Sequence, residues 1–191
     1  QAVPPESFGE TSEPAVLGNL FLMKLALKKI NLPDNKIRFD RLSVFRISID
    51  CISKMRKDYM PVKRHHIQGS PVDCVDMGKT LKFISDYIND QSNPVGFILA
   101  MNPEKVFALR ANPFLQNFFE KATLVIPDGI GIVKALRFLY GVKVSRVPGA
   151  DLMQNICREA PLHGWRLFIY GASEKVNAEA CKILETRYPG I

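Results

Sequence analysis

Asp128 is the side chain that residue type and spacing mark most clearly for chemistry. It follows an apolar run that ends at Pro127, and glycines stand at positions 129 and 131. A carboxylate at the end of a buried strand can act as a general base on a hydroxyl nucleophile, and Gly129 and Gly131 would let the backbone approach a ligand closely. The same carboxylate would equally serve as the N-cap of the helix that follows, so spacing alone leaves both interpretations open.

A second candidate is the turn Gly171-Ala172-Ser173, which follows the apolar run Trp165–Tyr170. Backbone N–H groups in such a turn, together with the start of the next helix, suit a phosphate group. The turn is neither a Walker motif nor a complete GxGxxG fingerprint. Ser173 serves equally well as a plain helix N-cap.

Asn102 and Arg146 are further polar candidates close to strand ends. Asn102 follows the apolar run Val95–Met101 and, with Pro103 after it, forms a helix start signal. Arg146 follows a short predicted strand and could bind a diphosphate, although an exposed arginine without a ligand is the simpler interpretation.

The elements that must position these residues become regular from residue 66 onward. Strand-length apolar runs, at 95–101, 123–126, 142–147 and 165–170, alternate with amphipathic helical stretches. This alternation is typical of a mostly parallel sheet with helices on both faces. Ligands bind beyond the carboxyl ends of such strands. The sequence therefore predicts a Rossmann-like α/β domain over residues 66–191 that carries the polar turns at one edge.

Residues 1–65 are predicted to be a basic, partly mobile N-terminal extension. Residues 1–66 carry 12 Lys/Arg against 7 Asp/Glu, which is most of the net charge of +7. The apolar stretch over residues 16–30 predicts a helix that packs on the protein or lies on a membrane surface.

Composition excludes some classes of protein. No apolar run reaches the length of about 18–20 residues that spans a bilayer. The four cysteines form no CxxC pair, which favours a reducing, cytoplasmic setting. The basic charge could attract nucleic acid, but no nucleic-acid-binding motif accompanies it, so no nucleic acid partner is expected.

Six segments together resemble the WecG/TagA/CpsF glycosyltransferases, and they cover roughly two-thirds of the chain in the family's order and spacing. The segment with Asp128, followed by the segment with Arg146, is the most specific part of the resemblance. The segments are Ile67–Asp73, Ala100–Glu104, Val125–Val133, Arg146–Met153, Phe168–Ala172 and Tyr188–Gly190.

The resemblance implies an inverting transfer of a hexose or N-acetylhexosamine from a UDP-sugar to a polyprenyl-diphosphate-linked sugar, in cell-surface polysaccharide or teichoic acid synthesis. It implies that Asp128 activates the acceptor hydroxyl, that Arg146 contacts the diphosphate and that Asn102 lines the donor-sugar pocket. The turn at Gly171 would lie near the nucleotide. No metal or other cofactor is expected, and the protein would work in the cytoplasm, at the inner face of the cell membrane. A homo-oligomer is compatible with the sequence.

Two departures from the family support a second hypothesis, that of a catalytically inactive nucleotide-sugar-binding or scaffold domain. The family usually has Thr two residues before the Asn, where this chain has Ala100. The family also continues beyond the Tyr188–Gly190 segment, so the domain is predicted to be incomplete at its C-terminal end.

Overall fold

The computed structural model describes residues 62–90, 92–93 and 95–191. These residues form a mixed α/β structure with four strands and six helices. In chain order the elements are β1 Arg64–Ile67, β2 Ser70–Asp73, α1 Met77–Asn89, β3 Ile98–Met101, α2 Pro103–Ala111, α3 Pro113–Glu120, β4 Leu124–Pro127, α4 Ile130–Tyr140, α5 Gly149–His163 and α6 Glu174–Arg187.

Strands β1 and β2 form an antiparallel hairpin. Its two turn residues, Gln68 and Gly69, have φ angles of 50° and 83°. Positive φ at both turn positions gives the twist that two-residue hairpin connections favour. The turn residues themselves therefore favour the pairing of β1 with β2.

A buried ion pair joins the hairpin to the rest of the domain. The Arg64 guanidinium donates to both carboxylate oxygens of Asp73, at 2.8 and 2.7 Å. Arg64 also donates to the carbonyls of Glu120 and Ala122, and the Val125 amide donates to Asp73 at 2.7 Å. A buried pair needs such additional hydrogen bonds to offset its loss of hydration. The pair thus fixes the hairpin beside β4.

Strands β3 and β4 form a parallel pair, with Met101 opposite Pro127 at its carboxyl end. Side chains alternate between the two faces of this pair. Leu99, Met101 and Val125 pack into a core shared with the hairpin and helices α2, α3 and α4. Leu124 and Ile126 pack into a second core, shared with α1 and α5. Helices therefore cover both faces of the parallel pair.

Several helices begin and end at local sequence signals. The Asn102 side chain accepts the Lys105 amide and Asn112 accepts two amides, and in each case Pro occupies the first helical turn. Gly141 and Gly164 end α4 and α5 with φ angles of 67° and 64°. Glycine adopts this left-handed conformation without strain.

Two predicted strands, at residues 142–147 and 165–170, are not strands in the structure. A strand requires a ladder of hydrogen bonds with a neighbour, and the described strands pair only as β1 with β2 and β3 with β4. From residues 142–147, the Val147 amide alone bonds the edge of β4, at the Pro127 carbonyl. The α/β class is confirmed, with one parallel pair among the described residues in place of the mostly parallel Rossmann-like sheet.

The predicted helix over residues 16–30, and all but the last four residues of the predicted extension, lie outside the described residues. Within the described part of the chain, no helix has the length and apolar character needed to cross a bilayer.

Candidate active site

The carboxyl ends of β3 and β4 bring Asn102 and Asp128 side by side. Met101 and Pro127 are opposite each other in the parallel register, and the Asp128 amide donates to the Met101 carbonyl at 2.8 Å. Both residues leave the sheet at the same edge, as the topology of a parallel pair requires. The structure therefore brings two of the predicted site residues together.

Asp128 does not cap the helix that follows it. The N-cap of α4 is Gly129, and the Asp128 carboxylate instead accepts the Gly149 amide, at 3.4 Å. Gly149 is the first residue of α5, so the carboxylate faces the partial positive charge of a second helix N-terminus. The capping interpretation is wrong, and the half-buried carboxylate lies between β4 and α5 with one oxygen directed at Gly149.

Ala100 lies on the same side of this edge. A Cβ added at Gly149 would lie 3.8 Å from the Asp128 carboxylate and 4.0 Å from the Ala100 Cβ. The position at which the resemblance implies a threonine hydroxyl therefore lies near the start of α5, beside Asp128. In this chain a methyl group occupies it.

The ring of Pro103 packs against the backbone of Gly129 and Gly131. An added Cβ would lie 3.2 Å from the Pro103 Cδ at Gly129 and 2.9 Å from the Pro103 Cγ at Gly131. Gly129 also has a φ of 132°, which is unfavourable for residues with a side chain. In the structure, close packing of the starts of α2 and α4 accounts for these glycines, whereas their predicted approach to a ligand stays a prediction.

Arg146 lies at the same edge of the sheet. The Val147 amide donates to the Pro127 carbonyl at 2.8 Å, and the Val147 side chain is fully buried. Pro127 is the residue before Asp128, so this contact holds the backbone beside Arg146 close to Asp128 at the end of β4. The Arg146 side chain itself is exposed, so it is accessible to an anionic group.

Lys105 is a charged residue of this site that the sequence did not reveal as a candidate. Its ammonium donates to the Ala100 carbonyl at 2.8 Å. Burial lowers the pKa of Lys105, while the charges of Asp128 and Glu104 act in the opposite direction. The available signal was its position three residues after the N-cap Asn102, because helical side chains point back towards the helix start.

Gly171, Ala172 and Ser173 are exposed and form a separate turn. Ser173 caps α6 by accepting the Val176 amide, as the capping interpretation predicts, and the Asn177 side chain donates to the carbonyls of Ile169 and Gly171. These hydrogen bonds all stay within residues 169–177. They do not connect the turn to Asp128, so its predicted proximity to a nucleotide stays a prediction.

The arrangement suits the attack of a hydroxyl group on a substrate with an anionic leaving group. It offers one oriented carboxylate as a proton acceptor. The backbone of the exposed residue Arg146 and the N-terminus of α5 lie at the same edge, and the positive charge of both would stabilise negative charge that develops during the reaction.

Comparison with known proteins gives this site a family context. Residues 65–191 match the model of the Glycosyl transferase WecG/TagA/CpsF family. One relative, from Bacillus spizizenii (strain ATCC 23059 / NRRL B-14472 / W23), is named N-acetylglucosaminyldiphosphoundecaprenol N-acetyl-beta-D-mannosaminyltransferase. It is 33% identical over 131 residues, which cover 65% of this chain and 50% of the relative.

A second relative, from Staphylococcus aureus (strain MRSA252), carries the same name. It is 30% identical over 125 residues, which cover 65% of this chain and 49% of the relative. The chain thus spans about half the length of the curated relatives it matches.

Proposed function

The chain belongs to the WecG/TagA/CpsF glycosyltransferase family, and on this basis we propose that it transfers a sugar from a nucleotide donor to a lipid-linked acceptor. The donor is a UDP-linked hexose or N-acetylhexosamine. The names of the relatives favour N-acetylmannosamine as the sugar and N-acetylglucosamine on polyprenyl diphosphate as the acceptor. The product would serve the synthesis of a cell-surface polymer.

The reaction is a single displacement with inversion. Asp128 takes the proton of the acceptor hydroxyl while its oxygen attacks the anomeric carbon of the donor sugar. The bond between that carbon and the UDP oxygen breaks, and UDP leaves with the bonding electrons. Arg146 and the N-terminus of α5 stabilise the charge on the departing diphosphate. Asn102 lines the donor-sugar pocket, and the chemistry requires no metal ion.

One observation carries this proposal. The Asp128 carboxylate is held by the Gly149 amide at the end of the parallel pair and is not used as the cap of its own helix. Within the described part of the chain the carboxylate accepts one hydrogen bond, from the Gly149 amide, so its remaining lone pairs can accept a substrate proton.

Replacing Asp128 with Asn tests its role. Asn has the same shape but accepts a proton poorly, so we expect Asp128→Asn to lower the rate of donor-dependent UDP release by about 10²- to 10⁴-fold. The binding of UDP should change little. Asp86→Asn is the matched control because Asp86 pairs with Lys82 on α1. Unchanged turnover in Asp128→Asn would contradict the proposal.

Ala100 favours a second candidate function, that of a nucleotide-sugar-binding domain without transferase activity. Its methyl group lies where the family usually presents a hydroxyl, close to Gly149 and Asp128. Under this hypothesis the chain binds UDP but releases none from a UDP-sugar. If the lost hydroxyl is the cause, Ala100→Thr should introduce activity, and an Ala100→Val control of similar size should not.

A further inference from the structure

Helix α4 presents an exposed face that combines apolar and basic side chains. Ile130, Lys134 and Phe138 are four residues apart, and Arg137 lies next to them on the helical wheel. Phe138 is 88% exposed and Ile130 is 61% exposed, and Lys134 and Arg137 are also exposed. We call these four residues the basic apolar face of α4.

The orientation of this face is fixed by the opposite side of the helix. Ile132 and Leu136 are buried against the hairpin, α2 and α3, and the Tyr140 ring contacts the His65 ring at a tilt of 33°, with ring centroids 4.1 Å apart. Rotation of α4 to hide Phe138 would expose Ile132 and Leu136. The outward position of Phe138 therefore follows from the packing of the helix.

The charge around this face has one sign. Between Asp128 and Asp151 the sequence has four basic residues, Lys134, Arg137, Lys143 and Arg146, and no acidic residue. Within the described residues, none of the four forms an ion pair, whereas Lys82 on α1 pairs with Asp86 at 2.8 Å. An apolar face surrounded by unneutralised positive charge complements a surface that is negatively charged and has an apolar interior.

The face is also continuous with the candidate active site. Helix α4 begins two residues after Asp128, and Arg146, at the same sheet edge, belongs to the same positive stretch. An object that contacts the basic apolar face would therefore be held close to Asp128.

We propose that the basic apolar face of α4 docks on an anionic lipid bilayer, with Phe138 and Ile130 inserted at the interface and Lys134 and Arg137 against the headgroups. Bilayer docking rests on the proposed function, since a lipid-linked acceptor presents its sugar at a bilayer surface. A nucleic acid would match the charge but gives no role to the isolated apolar side chains. A second copy of the chain would bring like charges together.

Vesicle flotation tests the proposal without any sugar transfer. The full chain is mixed with vesicles of phosphatidylcholine alone, or of phosphatidylcholine with about one-third phosphatidylglycerol. We expect binding to the anionic vesicles that weakens as salt is added. Lys134→Gln with Arg137→Gln should weaken it by about 30-fold, from the attraction that two basic residues contribute. Phe138→Ser should weaken it by at least about tenfold.

Matched control substitutions distinguish binding through this surface from nonspecific binding of the protein to vesicles. Phe107 is another exposed phenylalanine, on α2, and Lys175 and Lys182 are exposed on α6. Phe107→Ser and the double variant Lys175→Gln, Lys182→Gln should bind vesicles like the unchanged chain. Thermal unfolding of each variant checks that it is folded.

Three outcomes would overturn the proposal. In the first, the unchanged chain binds neutral and anionic vesicles equally. In the second, the α2 or α6 control variants lose as much vesicle binding as the α4 variants. In the third, the folded unchanged chain does not bind vesicles. A change of oligomeric state or of oligonucleotide binding in the α4 variants, without a change in flotation, would assign the face to another partner. UDP titration of the same proteins tests the proposed function separately, because its site does not include the α4 face.

Discussion

At the scale of single residues, the site depends on where a few polar atoms are directed. Asp128 and Arg146 lie at the same edge because the Asp128 amide donates to the Met101 carbonyl, and the amide of Val147, next to Arg146, donates to the Pro127 carbonyl. The carboxylate is bound by Gly149, whereas the exposed guanidinium extends from a backbone fixed by buried Val147. We therefore expect Asp128 to act on the acceptor hydroxyl and Arg146 to bind the diphosphate, and substitution of each residue separately tests its role.

Replacing Arg146 with Ala should weaken UDP binding by at least about tenfold, the range for losing a hydrogen bond to a charged group. Calorimetric titration of UDP measures this change. The control is Arg158→Ala, since Arg158 is exposed on α5 and bonds Asn155. Equal affinity of the Arg146→Ala variant and the unchanged chain would remove Arg146 from the diphosphate site.

At the scale of elements, the glycine at the second position of a helix has different consequences in α1 and α4. A Cβ at Gly131 would lie 2.9 Å from the Pro103 ring, whereas a Cβ at Gly78 would lie 3.6 Å from the flexible Asp76 side chain. We expect Gly131→Ala to destabilise the fold by about 1–3 kcal/mol through overpacking. Gly78→Ala should stabilise it by about 0.5 kcal/mol through helix propensity.

Denaturant unfolding of the two variants measures this contrast. Because both substitutions favour a helix equally, their difference reports the contact between α2 and α4. If Gly131→Ala proves as stabilising as Gly78→Ala, the close packing of Pro103 against α4 is incorrect.

The contact of β1 with α4 should make stability depend on pH. Burial, followed by the charges of Lys63 and His66, lowers the pKa of His65 from the ordinary value of 6.5. The unfolded chain therefore binds a proton more readily, so this contribution to stability is complete above pH 6.5 and is lost as the pH falls through and below that value. His65→Phe, which keeps a ring against Tyr140, should flatten the fall.

Unfolding free energies between about pH 8 and pH 5 test this expectation. Near pH 8, His65 is neutral in both the folded and the unfolded state, so the unfolding free energy of each protein at that pH is the reference for its own values at lower pH. Parallel curves for the unchanged chain and His65→Phe would show that His65 does not contribute.

Sequence alone could predict those elements whose signals are local. Asn102 and Asn112 start helices and Gly141 and Gly164 end them, because each signal lies within a few residues of the feature it controls. Strand pairing is not local, and the run at 165–170 has strand-like composition without being a strand in the structure. A hydrophobic run specifies burial, but its hydrogen-bonding partner must come from elsewhere in the chain.

The candidate site follows the same rule. Asp128 and Asn102 could be placed at one edge because parallel strands share their ends. The sequence alone did not exclude the cap role of Asp128, because the carboxylate contacts Gly149, 21 residues away, instead of its own helix. The ammonium of Lys105 on the Ala100 carbonyl depends on the path from β3 into α2, which spacing does not specify.

At the scale of the whole molecule, ligand binding should couple to stability. A ligand that binds only the folded chain stabilises it, by about 2.7 kcal/mol at a concentration 100 times its dissociation constant. We expect UDP to raise the unfolding temperature of the unchanged chain and to raise that of Arg146→Ala less. A chelator should not reduce the effect, because the proposed contacts are made by protein groups. Loss of the UDP effect on chelation would call for a metal in the proposed site.

The bond between Asp73 and the Val125 amide has a consequence for the motions of the domain. It links residues that are 52 positions apart, and its donor belongs to the strand that ends beside Asp128. Opening the hairpin would leave that amide and the Arg64 charge without their buried partner, which is costly. The hairpin and the parallel pair should therefore open together, with their amides exchanging hydrogen as one cooperative unit. We therefore expect the geometry around Asp128 to depend on a contact at the opposite end of the same strand.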